Sequence, residues 1–137
     1  MPPGRGAVRD VVLLDAQRGV AVAENTGLLA TADGGHSWEV RLPSTDDCCL
    51  WGMFFLDQQR GWVVGGGIHG QVYGTVDGGA TWSHLATLPG PSLQAVSFAD
   101  AAHGFAIANQ RPCLYVTADG GVSWRGRRLD GKGECTQ

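Results

Sequence analysis

Charge is scarce in this chain, and so is any long apolar run. Asp, Glu, Lys and Arg make up 17% of its 137 residues, with a formal net charge of −3. A net-acidic chain has no general nucleic-acid footprint, and no nucleic-acid partner is expected. The local exception is "RGRRLDGK", carrying Arg125, Arg127, Arg128 and Lys132, which reads as a solvated strand edge blunted by cations. No stretch approaches the ~20 apolar residues of a membrane span. The opening "MPPGRGAVRD" lacks the apolar segment of a secretory signal. Localisation stays open, with the cytoplasm expected unless a leader has been removed.

Catalytic signatures are missing too. There is no G-x-S-x-G, and no Cys–His pair in a recognisable context. The glycine-rich "VVGGGIHG" lacks the Lys and the following helix of a phosphate-binding loop. The four cysteines, Cys48, Cys49, Cys113 and Cys135, fit no CxxC spacing and leave the redox state open. Asp46, Asp47, Cys48 and His69 are donor types that zinc accepts. The vicinal Cys48–Cys49 pair cannot easily place both sulfurs on one ion, so no metal and no cofactor are expected. His36, His84 and His103 have no partners in sequence and read as surface residues.

Glycine, by contrast, is abundant at 22 residues, and it is organised. "TADGGHSWE" begins at Thr31, "TVDGGATWS" at Thr75 and "TADGGVSWR" at Thr117. A second landmark keeps step: Asp15, Asp57 and Asp100 each stand four residues before Gly19, Gly61 and Gly104. Two landmarks in phase, three times over, define a repeat, and the repeat decides the architecture. Each unit holds four short stretches rich in β-branched and aromatic residues, such as "VRDVVLL", "GVAVAE", "GLLATA" and "SWEVRL" in the first. None is long enough for a helix.

Four antiparallel strands joined by tight turns, repeating every ~40–50 residues, describe a β-propeller blade. The expected organisation is all-β: an N-terminal extension at 1–7, blades at 8–49, 50–92 and 93–129, and a tail at 130–137. In each repeated phrase the Asp (Asp33, Asp77, Asp119) is expected to bond N–H groups two residues on. The paired glycines ending in Gly35, Gly79 and Gly121 supply positive φ. Thr31, Thr75 and Thr117 bond back across the hairpin, and Trp38, Trp82 and Trp124 plug against a neighbouring sheet. A lone carboxylate in such a turn is a poor calcium site, since calcium wants 6–8 oxygens.

The phrase T-x-D-G-G-x-[ST]-W resembles the Asp-box, or BNR repeat. The upstream [LF]-x-D frame and the "LP" at Leu42–Pro43 and Leu88–Pro89 resemble the photosystem II assembly factor branch of that superfamily. The resemblance implies a propeller with an assembly or scaffolding role and a protein or glycan ligand. It implies nothing residue by residue about the ligand. A sialidase would need an arginine triad, a Tyr–Glu pair and an acid. Of these only Arg111 falls in a loop of the right kind, so a non-catalytic binding role is expected. The alternative is a glycan-active hydrolase or lyase with its site at the channel.

Three blades do not close a ring, which holds roughly four to eight. Two copies head to tail would give six around a two-fold axis, so a homodimer is expected. The rival is a piece of a longer propeller; the initiating Met1 and polar tail favour a complete chain. By analogy with other propellers, the ligand face carries the loops at 24–27, 43–49, 65–70, 89–92 and 109–113. There the units differ most, at Asp46, Asp47, Cys48, Cys49, His69 and Arg111. Trp51 and Trp62 could stack a sugar, but their repeat equivalents read as core.

Overall fold

The strands form where β-branched and aromatic residues cluster, and they stop at the glycine and aspartate turns. The computed structural model describes residues 8–23, 26–43, 50–66, 69–88, 92–108 and 113–128. Within these, the first sheet comprises β1 (Val8–Leu13), β2 (Gly19–Ala23), β3 (Gly27–Thr31) and β4 (Glu39–Pro43). The second holds β5 (Leu50–Phe55), β6 (Gly61–Gly65), β7 (Gly70–Thr75) and β8 (Ser83–Leu88). The third holds β9 (Leu93–Phe98), β10 (Gly104–Ala108), β11 (Cys113–Thr117) and β12 (Arg125–Arg128). Every sheet is antiparallel and pairs its strands in chain order. The described residues are therefore all-β, in three four-stranded units.

The sheets stack through their first strands, β1 against β5 and β5 against β9. Gly52 makes the second approach possible, because a Cβ there would stand 2.5 Å from the carbonyl oxygen of Gln94. Two apolar layers result. One gathers Val20, Val22 and Leu28 of the first sheet with Leu50, Met53 and Val63 of the second. The other gathers Trp62, Val64 and Val72 of the second with Val96, Phe98 and Tyr115 of the third. At its centre Trp62 stacks flat on Phe98, with ring centroids 3.6 Å apart. The Trp62 Nε1–H also donates to the Gly120 carbonyl at 2.8 Å. Trp62 is thus core, as its repeat equivalents suggest.

Each repeated phrase closes a hairpin in the same way. Thr31 Oγ1 donates to Asp33 Oδ1 at 2.9 Å and accepts from the Gly35 N–H at 3.0 Å. The Asp33 carboxylate accepts from the Ser37 N–H at 2.9 Å and the Ser37 hydroxyl at 2.6 Å. Asp77 with Thr81, and Asp119 with Ser123, repeat this. The aspartate therefore reaches four residues on, not two, while the threonine hydroxyl takes the nearer amides. Ser37 and Trp38 consequently belong to the turn, and β4 begins only at Glu39. Each tryptophan first meets its own hairpin: Trp38, Trp82 and Trp124 donate to the Gly35, Gly79 and Gly121 carbonyls at 2.8–3.0 Å. Positive φ at Gly78 (73°) and Gly79 (90°) lets the turn close where a side chain would strain it.

These bonds hold the carboxylates ionised. Asp77 and Asp119 fall from the ordinary 3.8 to about 2, chiefly through the hydroxyls of Thr81 and Ser123. Asp33 falls further, chiefly through the Ser37 hydroxyl. Asp15 falls to about 2, chiefly through the Gln17 N–H, and Asp57 and Asp100 are lowered by the Arg60 and Ala102 N–H groups respectively. A depressed carboxylate stabilises the fold above its unfolded value and loses that contribution as pH falls through the folded one. The urea midpoint should therefore be level at neutral pH and drop between about pH 4 and 2; a level midpoint throughout would refute these networks. Trp62→Ala should cost about 3–5 kcal/mol in the same assay.

Candidate binding face

The two ends of each sheet differ in kind. At one end the hairpin of the repeated phrase bonds to the turn between the first two strands: the Gly34, Gly78 and Gly120 N–H groups donate to the carbonyls of Gln17, Gln59 and Ala102 at 2.9–3.0 Å. That end is closed on itself. Between the first two sheets it holds a cleft of about 290 Å³ lined by Arg18, Arg41, Glu39, Asp33 and Asp77. Both arginines there are paired, Arg18 with Asp15 at 2.9 Å and Arg41 with Glu39 at 2.8 Å.

The other end carries the starts of β1, β5 and β9, and there the register slips each time. The pairings jump from Val8 to Asp10, from Leu50 to Gly52, and from Ala95 to Leu93. Arg9, Trp51 and Gln94 are the extra residues. A bulge of this kind re-aims a side chain, and bulges gather next to functional sites. Arg9 lies over the Trp51 ring, its guanidinium 4.7 Å from the centroid, across the seam between the first two sheets. The Trp51 Nε1–H donates to the Gly66 carbonyl at 3.4 Å, which ties the indole to the connection between β6 and β7. Trp51 is half-buried and Gln94 exposed, so the expectation that Trp51 is simply core needs correcting.

His69 stands exposed on that same connection, just before β7. Asp46, Asp47 and Arg111 lie outside the described residues, as do Cys48 and Cys49. Of the four expected binding residues only His69 is among the described residues, and it shares this end of the sheets with Arg9, Trp51 and Gln94. A sequence signal for these existed: they occupy the second position of each first strand, where the three units read Arg, Trp and Gln. Among the described residues no three His, Cys, Asp or Glu side chains gather as metal ligands. His84 and His103 are exposed as expected but have partners, Gln71 at 2.8 Å and Asp100 at 3.0 Å. No helix is long and apolar enough to cross a membrane, within the described residues.

The open redox question is partly answered. Cys113, at the start of β11 and buried, is disulfide-bonded. By the cysteine count its partner is Cys48, Cys49 or Cys135, all outside the described residues.

Consecutive four-stranded sheets stacked by their first strands, with one hairpin phrase per sheet, define a propeller-blade arc. The family profile described as Photosynthesis system II assembly factor YCF48 matches residues 3–90, more than half of the sequence. The chain belongs to that family. It is 30% identical over 130 residues to the photosystem II assembly lipoprotein Ycf48 of Synechococcus sp. (strain CC9902), covering 90% of this chain and 38% of that one. A solved structure described as YCF48 bound to D1 peptide matches with a TM-score of 0.71 and 27% identity, over 88% of this chain and 39% of the other. YCF48 from Cyanidioschyzon merolae matches at 0.73 and 22% identity, over 93% and 42%. The chain thus spans about two fifths of the length of these relatives.

The disulfide is open to test. Cys113→Ser should lower the unfolding free energy by about 2–4 kcal/mol, and dithiothreitol should bring the wild type down to the variant's value. A wild type insensitive to reductant would contradict a bonded Cys113.

Proposed function

We propose that this chain is a non-catalytic, protein-binding propeller module of the assembly-factor kind. It takes an extended segment of a client polypeptide on the face that carries Trp51. The observation behind this reading is the chain's place in the YCF48 family together with the 27% identity to a member solved with a peptide. The bulge residues supply fitting chemistry. An indole offers a flat apolar surface, Arg9 a cation beside it, and Gln94 a carboxamide able to pair with a peptide group. His69 and, outside the described residues, Asp46, Asp47 and Arg111 complete the candidate contacts. The repeated Thr, Asp, Gly and Trp residues serve the frame and not the ligand. In this reading a second copy of the chain completes a six-bladed ring, and the client lies at its mouth.

The test is titration with a synthetic D1 peptide, followed by fluorescence anisotropy, with a soluble oligosaccharide in parallel. Saturable peptide binding, weakened at least tenfold (about 1.4 kcal/mol) by Trp51→Ala, is the expected result. Binding of the oligosaccharide alone, or peptide binding indifferent to Trp51, would overturn it.

A further inference from the structure

The charged cleft between the first two sheets has a counterpart one seam further on, between the second and third. It holds about 230 Å³ and is bounded in part by Arg60, Trp62, Val76, Ser83, Leu85 and Ala101. It lies inside the arc at the hairpin end, so neither outer face of the three sheets contributes to it. Every connection around it, at 56–60, 76–82, 99–103 and 118–124, is among the described residues.

The two clefts share a frame and differ in what fills it. Arg60 holds the place of Arg18, Ser83 that of Glu39 and Leu85 that of Arg41, counted from the turn glycine or from the tryptophan of each repeated phrase. Arg41 and Leu85 are each the extra residue where the last strand of the sheet slips in register, and each lines its cleft. In the first cleft the cations are answered within the chain, Arg41 by Glu39 and Arg18 by Asp15. In the second, Arg60 is the one charged side chain in the lining. Asp57 accepts the Gln59 and Arg60 N–H groups at 2.8 Å, as Asp15 accepts those of Gln17 and Arg18, yet no guanidinium bonds to it. Among the described residues the Arg60 side chain makes no hydrogen bond or ion pair. Around that cation Leu85 and Ala101 are half-buried, Val76 is exposed, and Trp62 is buried with its N–H already donated to the Gly120 carbonyl.

An unanswered guanidinium beside apolar walls is the complement of a carboxylate on an apolar body, which it can hold through two parallel N–H···O bonds. Size sets a bound: about 230 Å³ falls below the ~300–1,000 Å³ of sites that take drug-sized molecules, so the ligand is small. We infer that this cleft binds a small apolar monocarboxylate, with the carboxylate on Arg60 and the Ser83 hydroxyl and the hydrocarbon part against Leu85, Val76 and Ala101. The site stands at the opposite end of the sheets from Trp51 and does not depend on the peptide reading above.

Titration of the full chain with phenylacetate, followed in proton–nitrogen NMR correlation spectra, tests this, because the Trp62 indole belongs to the cleft. Its N–H signal, identified by its loss in Trp62→Phe, should move and saturate with a Kd of about 1 mM or tighter, within reach of a ligand of about ten non-hydrogen atoms. Phenylacetamide, the neutral isostere, should bind at least tenfold more weakly. Arg60→Gln, a change at an exposed residue, should weaken phenylacetate by the same factor and leave the circular dichroism unchanged. Ser83→Glu combined with Leu85→Arg installs the ion pair of the first cleft and should remove binding. No saturation up to about 10 mM, phenylacetamide binding as tightly as phenylacetate, indifference to Arg60→Gln, or a shift at Trp51 in place of Trp62 would each overturn the inference.

Discussion

A sheet that is apolar on both faces must be covered on both, and in this chain the covering is done by a bulky side chain lying beneath a glycine turn. Trp62 shows the arrangement most fully. Its ring rests on Phe98, its N–H reaches the Gly120 carbonyl, and Gly121 passes close above it. The φ of 101° at Gly121, which an L side chain rarely adopts, is what the turn requires of a glycine there. The glycine pair in turn holds its shape because the Gly121 N–H donates to the Thr117 hydroxyl and the Gly120 N–H to the Ala102 carbonyl, while Asp119 takes the Ser123 amide that follows. The hydrogen-bonded hairpin and the packed seam are thus one device, and repeating it stacks the sheets.

The same constraint separates the two ends of the blades. The hairpin end is fixed by bonds that every unit repeats, so it has little freedom to vary. The opposite end is joined by connections whose sequences differ from unit to unit, and the bulges at Arg9, Trp51 and Gln94 fall there. Cation–π contact between Arg9 and Trp51 contributes about 0.5–1 kcal/mol at an exposed site, enough to orient the pair but not to hold the sheets together. The bulge itself recurs in all three units, and what changes is the residue it carries, Arg9, Trp51 or Gln94.

Much of this was legible in the sequence because a repeat exposes its own rules. The phase of Asp15, Asp57 and Asp100 against Thr31, Thr75 and Thr117 sets the strand count and the sheet order. Details of the hairpin were less legible. Aspartate bonding four residues on depends on the hydroxyl at Ser37, Thr81 or Ser123, which a two-residue Asx turn does not involve. The bulges were missed for a different reason: a strand's period says which face a residue takes, whereas a slip in register depends on both partners. Trp51 therefore looked like core. Cys113 could not be assigned from spacing, since bridging depends on Cα separation in space.

A double-mutant cycle on Trp62 and Phe98 would test the covering of faces most directly. Urea unfolding of Trp62→Ala, Phe98→Ala and the double variant should give a coupling of about 0.5–1.5 kcal/mol, as expected if the stacked pair holds the seam. Strictly additive losses would contradict it.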